Sequence, residues 1–317
     1  MPTVENPDWD GRESFSKVNP FLQIAWDSTS LGALKKCPRY YQLSIVEGWR
    51  LTPRYGWKSN TLHLRFGHLY HRALEYYDHM RSTGFEHDDA MALAIVDLSY
   101  GCIDKHEVEG ETFYEVWNPN GELDEDKAKL NSKTVPTLIR TVVWFLERFG
   151  ERDPAKTLQL ANGKPAVELS FRFEAGFKTQ STNEPILLSG HLDRLAEYAG
   201  GNYVMDRKTS KNALTSRNFE AYNPHNQMSL YSIAGRVVGE AQISGVIIDA
   251  VQITKTASSF ERGITPRTAG SLDEWLVDFK HYVQLAELFA AERYWPMNDT
   301  ACDNYGGCTF RRICSRD

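Results

Sequence analysis

The chain has 317 residues, of which 41% are hydrophobic and 25% are charged, a composition that predicts a globular protein with a substantial buried core. The formal net charge of −6 argues against a protein that covers nucleic acid nonspecifically with a wholly basic surface. No apolar run reaches the roughly 20 residues that cross a bilayer and no secretory leader is visible, so we expect a cytoplasmic protein without a membrane segment.

The first half of the chain is predicted to be mainly helical. Residues 1–27 lack a clear hydrophobic period, so we expect an irregular arm followed by one domain of residues 28–317. Serine and threonine at positions 28–30 are expected to cap the first helix. Residues 49–64 contain proline, glycine and basic residues and are expected to form a covering loop. The predicted helices of this half cover residues 28–46, 65–82, 87–106 and 126–149.

After residue 153 the pattern changes to that of strands. The nearly continuous apolar run at 243–254 predicts a strand that is buried on both faces. A helix is predicted at 224–238, and a long helix at 271–293 leads into the C-terminal tail. The other predicted strands cover residues 165–177, 186–199, 202–208 and 260–265. The domain is thus divided into a mainly helical part (28–153), a sheet core (154–270) and a helix with a cysteine tail (271–317).

Two of these strands are joined by the turn signal Ala-Gly-Gly at 199–201 and are predicted to pair as an antiparallel hairpin, GHLDRLAEYAGGNYVMDRKTS. The first strand carries Asp193, and the second carries Asp206 and Lys208. Since Asp206 and Lys208 are two residues apart, they project from one face of the strand, whereas Arg207 points away. Two carboxylates and an ammonium group are therefore predicted to converge.

This set of groups suits metal-assisted hydrolysis of a phosphodiester. Mg²⁺ or Mn²⁺ prefers hard oxygen ligands and binds through one or two carboxylates together with substrate phosphate, which Asp193 and Asp206 could supply. A nearby lysine such as Lys208 can orient the attacking water or stabilise the transition state. Because Asp-x-Lys also occurs in ordinary surface hairpins, the tripeptide alone is a weak signal.

The hairpin resembles that of the PD-(D/E)XK nuclease superfamily in its RecB-like branch, and further motifs follow in the same order. In FGHLYHRALE, Gly67 and His71 resemble the glycine and the metal-binding histidine of a family helix. In NQMSLYSIAG, Gln227 and Tyr231 resemble the Gln-x-x-x-Tyr helix that lines the DNA path, and their spacing of four places both on one helical face. The resemblance covers about residues 30–314.

The resemblance implies an α/β fold with a restriction-endonuclease-like core: a mixed central sheet flanked by helices, with a helical N-terminal region and a cysteine-stapled C-terminus. It also implies a role for Lys208 in positioning the attacking water. Glu168, on the strand before the hairpin, fits a position where the family often has an acidic residue, and His63 and His68 compete with His71. The implied metal ligands are His71, Asp193, Asp206 and the backbone carbonyl of Arg207.

The chain has five cysteines, and three of them lie in the tail CDNYGGCTFRRIC. Clustered cysteines in an intracellular protein more often bind metal than form disulfides, and four thiolates suit a 4Fe-4S cluster or a structural zinc ion. The tail supplies only three thiolates, so a fourth ligand must come from elsewhere. Cys102 lies in AIVDLSYGCIDK and is expected to be an ordinary buried thiol.

The segment SLGALKKCPRYYQL resembles the N-terminal helix of RecB-like nucleases that carry an iron–sulfur cluster, with one cysteine before the nuclease core and three after it. The tail spacing here is C-x5-C-x5-C, whereas many relatives have C-x2-C-x5-C, which leaves the coordination geometry open. Zinc, or four unligated cysteines, are the alternatives. The resemblance implies that the cluster ligands are Cys37, Cys302, Cys308 and Cys314.

Basic residues follow the second strand of the hairpin, and Lys211 and Arg217 among them are predicted to contact DNA phosphates. Cations and aromatic rings near the cysteines also suit a single strand, although solvated helix faces would have the same composition. These flanking residues are Lys35, Lys36, Arg39, Tyr40, Tyr41, Tyr305, Phe310, Arg311, Arg312 and Arg316.

The sequence therefore predicts a nuclease that depends on Mg²⁺ or Mn²⁺ and trims DNA that is single-stranded or has free ends. The resemblance implies work in recombination, repair, CRISPR adaptation or bacteriophage replication, in a bacterial cell or a phage-infected host. No Walker A lysine motif is visible, so a helicase or recombination protein would be a separate partner. A non-catalytic DNA-binding scaffold of the same fold, with a structural metal site, is the alternative.

Overall fold

The computed structural model describes residues 13–49, 58–108, 111–123, 125–303 and 307–314. Its helical segments lie mainly before and after a central sheet, as the sequence predicts. The α-helices are α1 Ser28–Lys36, α2 Pro38–Tyr41, α3 Lys58–Ser82, α4 His87–Gly101, α5 Glu125–Leu130, α6 Val135–Phe149, α7 Ser216–Glu220, α8 Asn226–Gly239, α9 Ala269–Glu292 and α10 Arg311–Cys314.

The central sheet has seven strands in mixed orientation, and a separate hairpin forms a second, two-stranded sheet. The main path runs β1-β6-β7-β8-β9, with β4 and β5 also paired to β6. The pairs β1–β6 and β7–β8 are parallel, whereas the other pairs are antiparallel. The strands are β1 Ala25–Trp26, β2 Ile103–Val108, β3 Glu111–Val116, β4 Lys156–Thr157, β5 Val167–Lys178, β6 Pro185–Tyr198, β7 Gly201–Ser210, β8 Gly245–Ile253 and β9 Ser258–Pro266.

Strand β6 changes partners along its length, and this change opens the sheet. The β6–β7 ladder runs from the pair Tyr198–Gly201 to the pair Arg194–Met205. Before Arg194, β6 pairs with β5 and β1, while β7 continues beyond Met205 beside β8. The two strands of the hairpin therefore separate at the next residue on each strand.

Helices cover both faces of the sheet. Alternate residues of β8 belong to different hydrophobic clusters: Val246, Ile248 and Ala250 pack with α1, α8 and α9, whereas Val251 and Ile253 pack with α3, α4 and α6. The run at 243–254 thus contains a strand buried on both faces, as predicted. Within the described residues, no helix is both long and apolar enough to cross a membrane.

Three of the predicted helices are interrupted, divided or shortened in the structure. The predicted helix at 28–46 is interrupted at Cys37, which has extended backbone dihedrals and precedes Pro38. The predicted helix at 126–149 is two helices, because Thr134 caps α6 with Pro136 at its start. The predicted helix at 87–106 ends at Gly101 and is followed by the hairpin β2–β3.

The last part of the predicted loop at 49–64 is helical in the structure. Helix α3 begins at Lys58 instead of near residue 65, so Gly67 lies inside the helix rather than at its start. Residues 50–57 of this loop lie outside the described residues.

The predicted irregular arm is ordered in part. Residues 1–12 lie outside the described part of the chain, but Phe15 and Gln23 form an isolated bridge and β1 adds to the edge of β6. Leu22 and Trp26 are fully buried in the core. The segment from residue 13 therefore packs against the sheet and contributes to the core.

Candidate active site

The two predicted aspartates meet where strands β6 and β7 separate. Asp193 and Asp206 are the first residues beyond the last paired rung, Arg194–Met205, and they are close enough for the charge of Asp193 to act on Asp206. The backbone N–H of Arg207, which has no β6 partner there, donates a hydrogen bond of 2.8 Å to Oδ2 of Asp193. The opening in the ladder thus creates the site.

Lys208 lies beside Asp206, as the alternation of the strand predicts. Its Nζ is 2.7 Å from Oδ2 of Asp206, and only 3% of the Asp206 side chain is exposed. Burial raises the pKa of Asp206 to about 6; the charge of Lys208 lowers it and that of Asp193 raises it further. The site therefore holds two close carboxylates that would gain from a neighbouring cation.

His71 of helix α3 completes this group. Its Nδ1 lies 3.6 Å from Oδ2 of Asp193. Burial lowers the pKa of His71 to about 4, although the charge of Asp193 acts in the opposite direction, so the imidazole is neutral near pH 7 and keeps a lone pair for a ligand. His63 and His68 line the same cavity, but among the described contacts it is His71 that meets an aspartate of the site.

Arg207 points to the opposite face of the sheet and anchors β7 there. Its guanidinium pairs with Asp78 of helix α3, whose Oδ1 is 3.9 Å from Nη1 of Arg194. Arg194 in turn pairs with Asp153 at 3.2 Å, and Arg262 joins Asp153 to Asp249. The side chains of Arg194 and Arg207 are nearly buried, so this ionic network holds β6, β7 and α3 together next to the site.

The site opens into a cavity of about 1030 Å³ between helix α3 and the sheet. Glu168 lies opposite Asp193 in the β5–β6 register and has a left-handed backbone conformation with φ of 48°. Burial raises the pKa of Glu168 to about 7, and the charges of Glu75 and Asp193 add to this shift. Glu75 and His191 also line the cavity and were not predicted as site residues. Glu75 could have been found, because it follows His71 by four positions and shares its helical face.

The predicted Gln-x-x-x-Tyr pair lies on helix α8. Nε2 of Gln227 donates a hydrogen bond of 2.9 Å to the Tyr231 hydroxyl. Burial raises the pKa of Tyr231, and the charges of Asp206 and Asp193 also raise it, which puts the ring within electrostatic reach of the site. Tyr222 is a neighbour that sequence reasoning missed; burial raises its pKa, with opposing effects of Lys208 and Asp206.

The two predicted DNA-contacting cations occupy different places. Lys211 is exposed and lines a second cavity, next to the active-site cavity. Arg217 is exposed on the short helix α7, which packs against β9. The structure therefore brings Lys211 close to the site without assigning Arg217 a contact there.

The four cysteines proposed as cluster ligands face one cavity of about 410 Å³. Cys37 is buried between α1 and α2, whereas the three tail cysteines are partly exposed. Burial raises the pKa of the Cys314 thiol; the charge of Arg39 lowers it and those of the other three cysteines raise it. Cys102 is buried in the helical cluster, away from this cavity, as predicted. Tyr305 and Arg316 lie outside the described residues.

Neither the side chains of the candidate active site nor the four cysteines surround a single point at which one ion could bind. Among the residues that the structure describes, no three His, Cys, Asp or Glu side chains are close enough to hold one metal ion. The active-site donors still fit Mg²⁺ or Mn²⁺, because such ions take one or two carboxylates and fill the other positions with water and phosphate. The buried pair Asp193 and Asp206, with neutral His71 beside it, is a donor set of that kind.

The family to which the chain belongs follows from its similarity to known proteins. The family model described as the PD-(D/E)XK nuclease superfamily matches residues 26–315. The chain therefore belongs to this superfamily, and its mixed sheet flanked by helices agrees with the fold expected from the sequence. No curated protein matches the chain.

Two solved structures show distant likeness. One is a crystal structure of a "Putative exonuclease" from Eubacterium rectale, with 12% identity and a TM-score of 0.42, and the match covers 95% of this chain and 91% of that one. The other is a crystal structure of SSO0001, with 13% identity and a TM-score of 0.26, covering 50% of this chain and 64% of that one.

Proposed function

We propose that the protein is a deoxyribonuclease that uses Mg²⁺ or Mn²⁺ to hydrolyse phosphodiester bonds. The observation that carries this proposal is the convergence of Asp193, Asp206, Lys208 and His71 where β6 and β7 separate. Membership of the PD-(D/E)XK nuclease superfamily supports the reaction class. The buried ionic network behind β7 would keep these groups in place during turnover.

Each side chain has a distinct role in this proposal. Asp193, Asp206 and the backbone carbonyl of Arg207 supply oxygen ligands, and His71 supplies a neutral nitrogen. A bound divalent ion acidifies water and neutralises charge that develops on the phosphate. Lys208 orients the attacking water, whose oxygen forms the new bond to phosphorus while the bond from phosphorus to the leaving oxygen breaks; overall, the proton that the water gives up is taken up by the leaving oxygen. The ammonium group of Lys208 is suited to this task because it adjoins Asp206.

The proposed substrate is DNA that is single-stranded or has a free end, and the proposed action is exonucleolytic. The RecB-like motifs support this choice, since Gln227 and Tyr231 are hydrogen-bonded on α8 and the charges of Asp206 and Asp193 act on Tyr231. Lys211 and Arg217 are the proposed phosphate contacts. In this role the protein would act in the cytoplasm in recombination, repair or phage replication, with any helicase as a separate partner.

We assign the four cysteines facing one cavity to a structural 4Fe-4S cluster. In such a cluster each thiolate binds a different iron, so the sulfur atoms lie further apart than around one zinc ion, where Zn–S distances are about 2.3 Å. The shared cavity, lined by all four cysteines, supports this assignment, and zinc is the alternative. The cluster would join Cys37 at the start of the domain to the tail.

An end-labelled DNA assay tests the proposed function. Single-stranded and double-stranded oligonucleotides are incubated with the protein in Mn²⁺, Mg²⁺ or EDTA, and release of label is followed over time. We expect release with either metal ion and none in EDTA. Labels at the 5′ and 3′ ends, and a circular single strand, distinguish exonucleolytic from internal cleavage.

The alternative function is a DNA-binding scaffold of the same fold. That alternative predicts DNA binding in EDTA with no metal-dependent release of label from any substrate. The presence of Asp193, Asp206 and Lys208 together favours the nuclease, because a site that has lost its activity needs none of the three.

A further inference from the structure

A second cavity of about 500 Å³ lies beside the active-site cavity and has a basic lining. Lys133, Lys211 and Lys255 face it together with His63. Among the described residues that line it, none is an aspartate or a glutamate. Such a cavity favours an anionic ligand.

Lys133 is the unusual member of this group, because only 5% of its surface is exposed. Its Nζ lies 4.5 Å from the centre of the Phe66 ring, and the described contacts give its ammonium group no carboxylate and no hydrogen bond. Burial lowers the pKa of Lys133 to about 8, so most of the ammonium remains charged at neutral pH. A buried cation without a counter-ion is costly, and a bound anion would offset that cost.

The backbone around Lys133 is held in place. Asn131 accepts a hydrogen bond from the Lys133 backbone N–H at 2.9 Å and donates one to the Lys133 carbonyl at 3.1 Å. The neighbouring Ser132 hydroxyl donates to the carbonyl of Ile253 at 3.3 Å. The lysine is therefore presented to the cavity by a fixed turn, which lowers the cost of ordering it around a ligand.

The basic cavity adjoins the catalytic one through helix α3. His63 lines both cavities, and the charges of Lys133 and Lys211 both act on it: burial lowers the His63 pKa first and these two charges lower it further. His63 precedes His71 by eight residues, which corresponds to about 12 Å along a helix. A ligand in the basic cavity would thus lie within a few nucleotides of the bond that is cut.

We propose that this cavity, built around Lys133, Lys211 and His63, binds a phosphate group of the DNA and sets the position of the strand relative to the cut. The inference rests on the proposed nuclease function. The phosphate can be the one at the end of the strand or one within it, since both present anionic oxygens to the same lysines.

Binding of oligonucleotides in EDTA tests this proposal without cleavage. The probes are one single-stranded sequence with a 5′ phosphate, with a 3′ phosphate, or with hydroxyls at both ends. The variant Lys133→Met keeps an apolar chain over Phe66, and Lys211→Gln changes an exposed position where folding is not at risk. Lys280→Met is the control, because the ammonium group of Lys280 also lies over a ring, 5.8 Å from the centre of Phe177. Lys280 is on helix α9 and lines neither cavity.

We expect Lys133→Met and Lys211→Gln each to weaken binding several-fold and to reduce the slope of log affinity against log salt by about 0.7, the value for one phosphate contact on a single strand. The control should match the wild type. Loss of a preference for one phosphorylated end would identify the terminal phosphate, whereas equal weakening of all probes would identify an internal one. Unchanged affinity and slope in both variants would overturn the proposal.

Inorganic phosphate separates failure of the cavity from failure of the nuclease. If phosphate raises the thermal midpoint of the wild type and of Lys280→Met but not of Lys133→Met, the cavity binds phosphate even if the wild type cuts no DNA. If the wild type cuts DNA while neither phosphate nor any oligonucleotide distinguishes Lys133→Met from Lys280→Met, the nuclease stands and the cavity assignment is wrong.

Discussion

The consecutive residues Asp206, Arg207 and Lys208 make contacts on the two opposite faces of strand β7. Asp206 and Lys208 face the site and form an ion pair, while Arg207 crosses to the other face and pairs with Asp78 of helix α3. Burial lowers the pKa of Arg207, but the charges of Asp78, Asp193 and Asp249, with the hydrogen bond to Asp78, together raise it above its usual value. Nη1 of Arg207 is buried without a hydrogen-bond partner in the described structure, so Asp78 is its main compensation. The position of Asp206 and Lys208 thus depends on a carboxylate on the other face of the strand.

Removal of the Asp78 charge should therefore destabilise the protein strongly. We expect Asp78→Asn to lower the free energy of unfolding by about 3–5 kcal/mol, because it leaves a buried guanidinium uncompensated. Urea unfolding measures the change. Asp97→Asn is the control, since it removes the partner of the more exposed Arg72, 2.7 Å away, and should cost less than about 1 kcal/mol. Equal effects of the two substitutions would contradict the role given to Asp78.

The ends of helices were harder to predict than their existence. Helix α1 is capped by Asp27, whose side chain accepts a hydrogen bond from the Ser30 N–H at 2.6 Å, while the Ser30 hydroxyl accepts one from the Asp27 N–H. The sequence predicted the cap among residues 28–30, which is wrong by at least one position, because the capping residue is Asp27. Ser30 is buried, whereas Asp27 and Thr29 are exposed.

The cap of helix α1 gives a prediction at this scale. Asp27→Ala should lower the free energy of unfolding by about 1 kcal/mol, the usual value of an N-cap hydrogen bond. Thr29→Ala, two positions further on and exposed, should change it by less than about 0.5 kcal/mol. Thermal or urea unfolding distinguishes the two variants, and a larger loss in Thr29→Ala would show that the cap is assigned to the wrong residue.

At the scale of the whole molecule, the buried sheet could be predicted from the sequence and the exposed additions could not. Strands β5 to β8 have apolar patterns, because each packs against at least one hydrophobic cluster. The hairpin β2–β3 has no such pattern. Every residue of β3 is exposed, so the sequence has no alternation of apolar and polar residues that would predict this strand. The alternation along the hairpin predicted that Asp193, Asp206 and Lys208 converge, and the family resemblance implied that His71 joins them. The basic cavity could not be predicted, because its lining residues, among them Lys133 and Lys211, are distant in sequence and meet only in the folded chain.

The two ends of the domain meet at the cysteine cavity. Arg39 donates through Nε to the carbonyl of Trp295 at 2.8 Å, and Asn298 donates through its side-chain amide to the carbonyl of Lys36 at 2.9 Å. The backbone N–H of Asn298 also lies 3.3 Å from Sγ of Cys37. These contacts hold the start of the tail against α1 and α2, and a bound cluster would extend the link to its end.

The cluster assignment predicts a coloured protein. Anaerobically purified protein should absorb near 400 nm and contain iron; Cys308→Ala should lose the colour and have a lower thermal midpoint. Cys102→Ala is the control, since this buried cysteine lies outside the cavity, and it should keep the colour. A colourless wild type that contains zinc would replace the cluster with a zinc site, and an unchanged thermal midpoint in Cys308→Ala would argue against any bound metal.

The most direct test of the account is the rate of metal-dependent DNA cleavage by Asp206→Asn and Lys208→Met, measured beside Asp278→Asn, an exposed substitution on helix α9. We expect both site variants to fold, to bind single-stranded DNA and to cut it at least about 100-fold more slowly than the wild type, a loss typical of one catalytic contact. The control should cut at the wild-type rate. Wild-type cleavage by either site variant would contradict the assignment of the active site to the opening between β6 and β7.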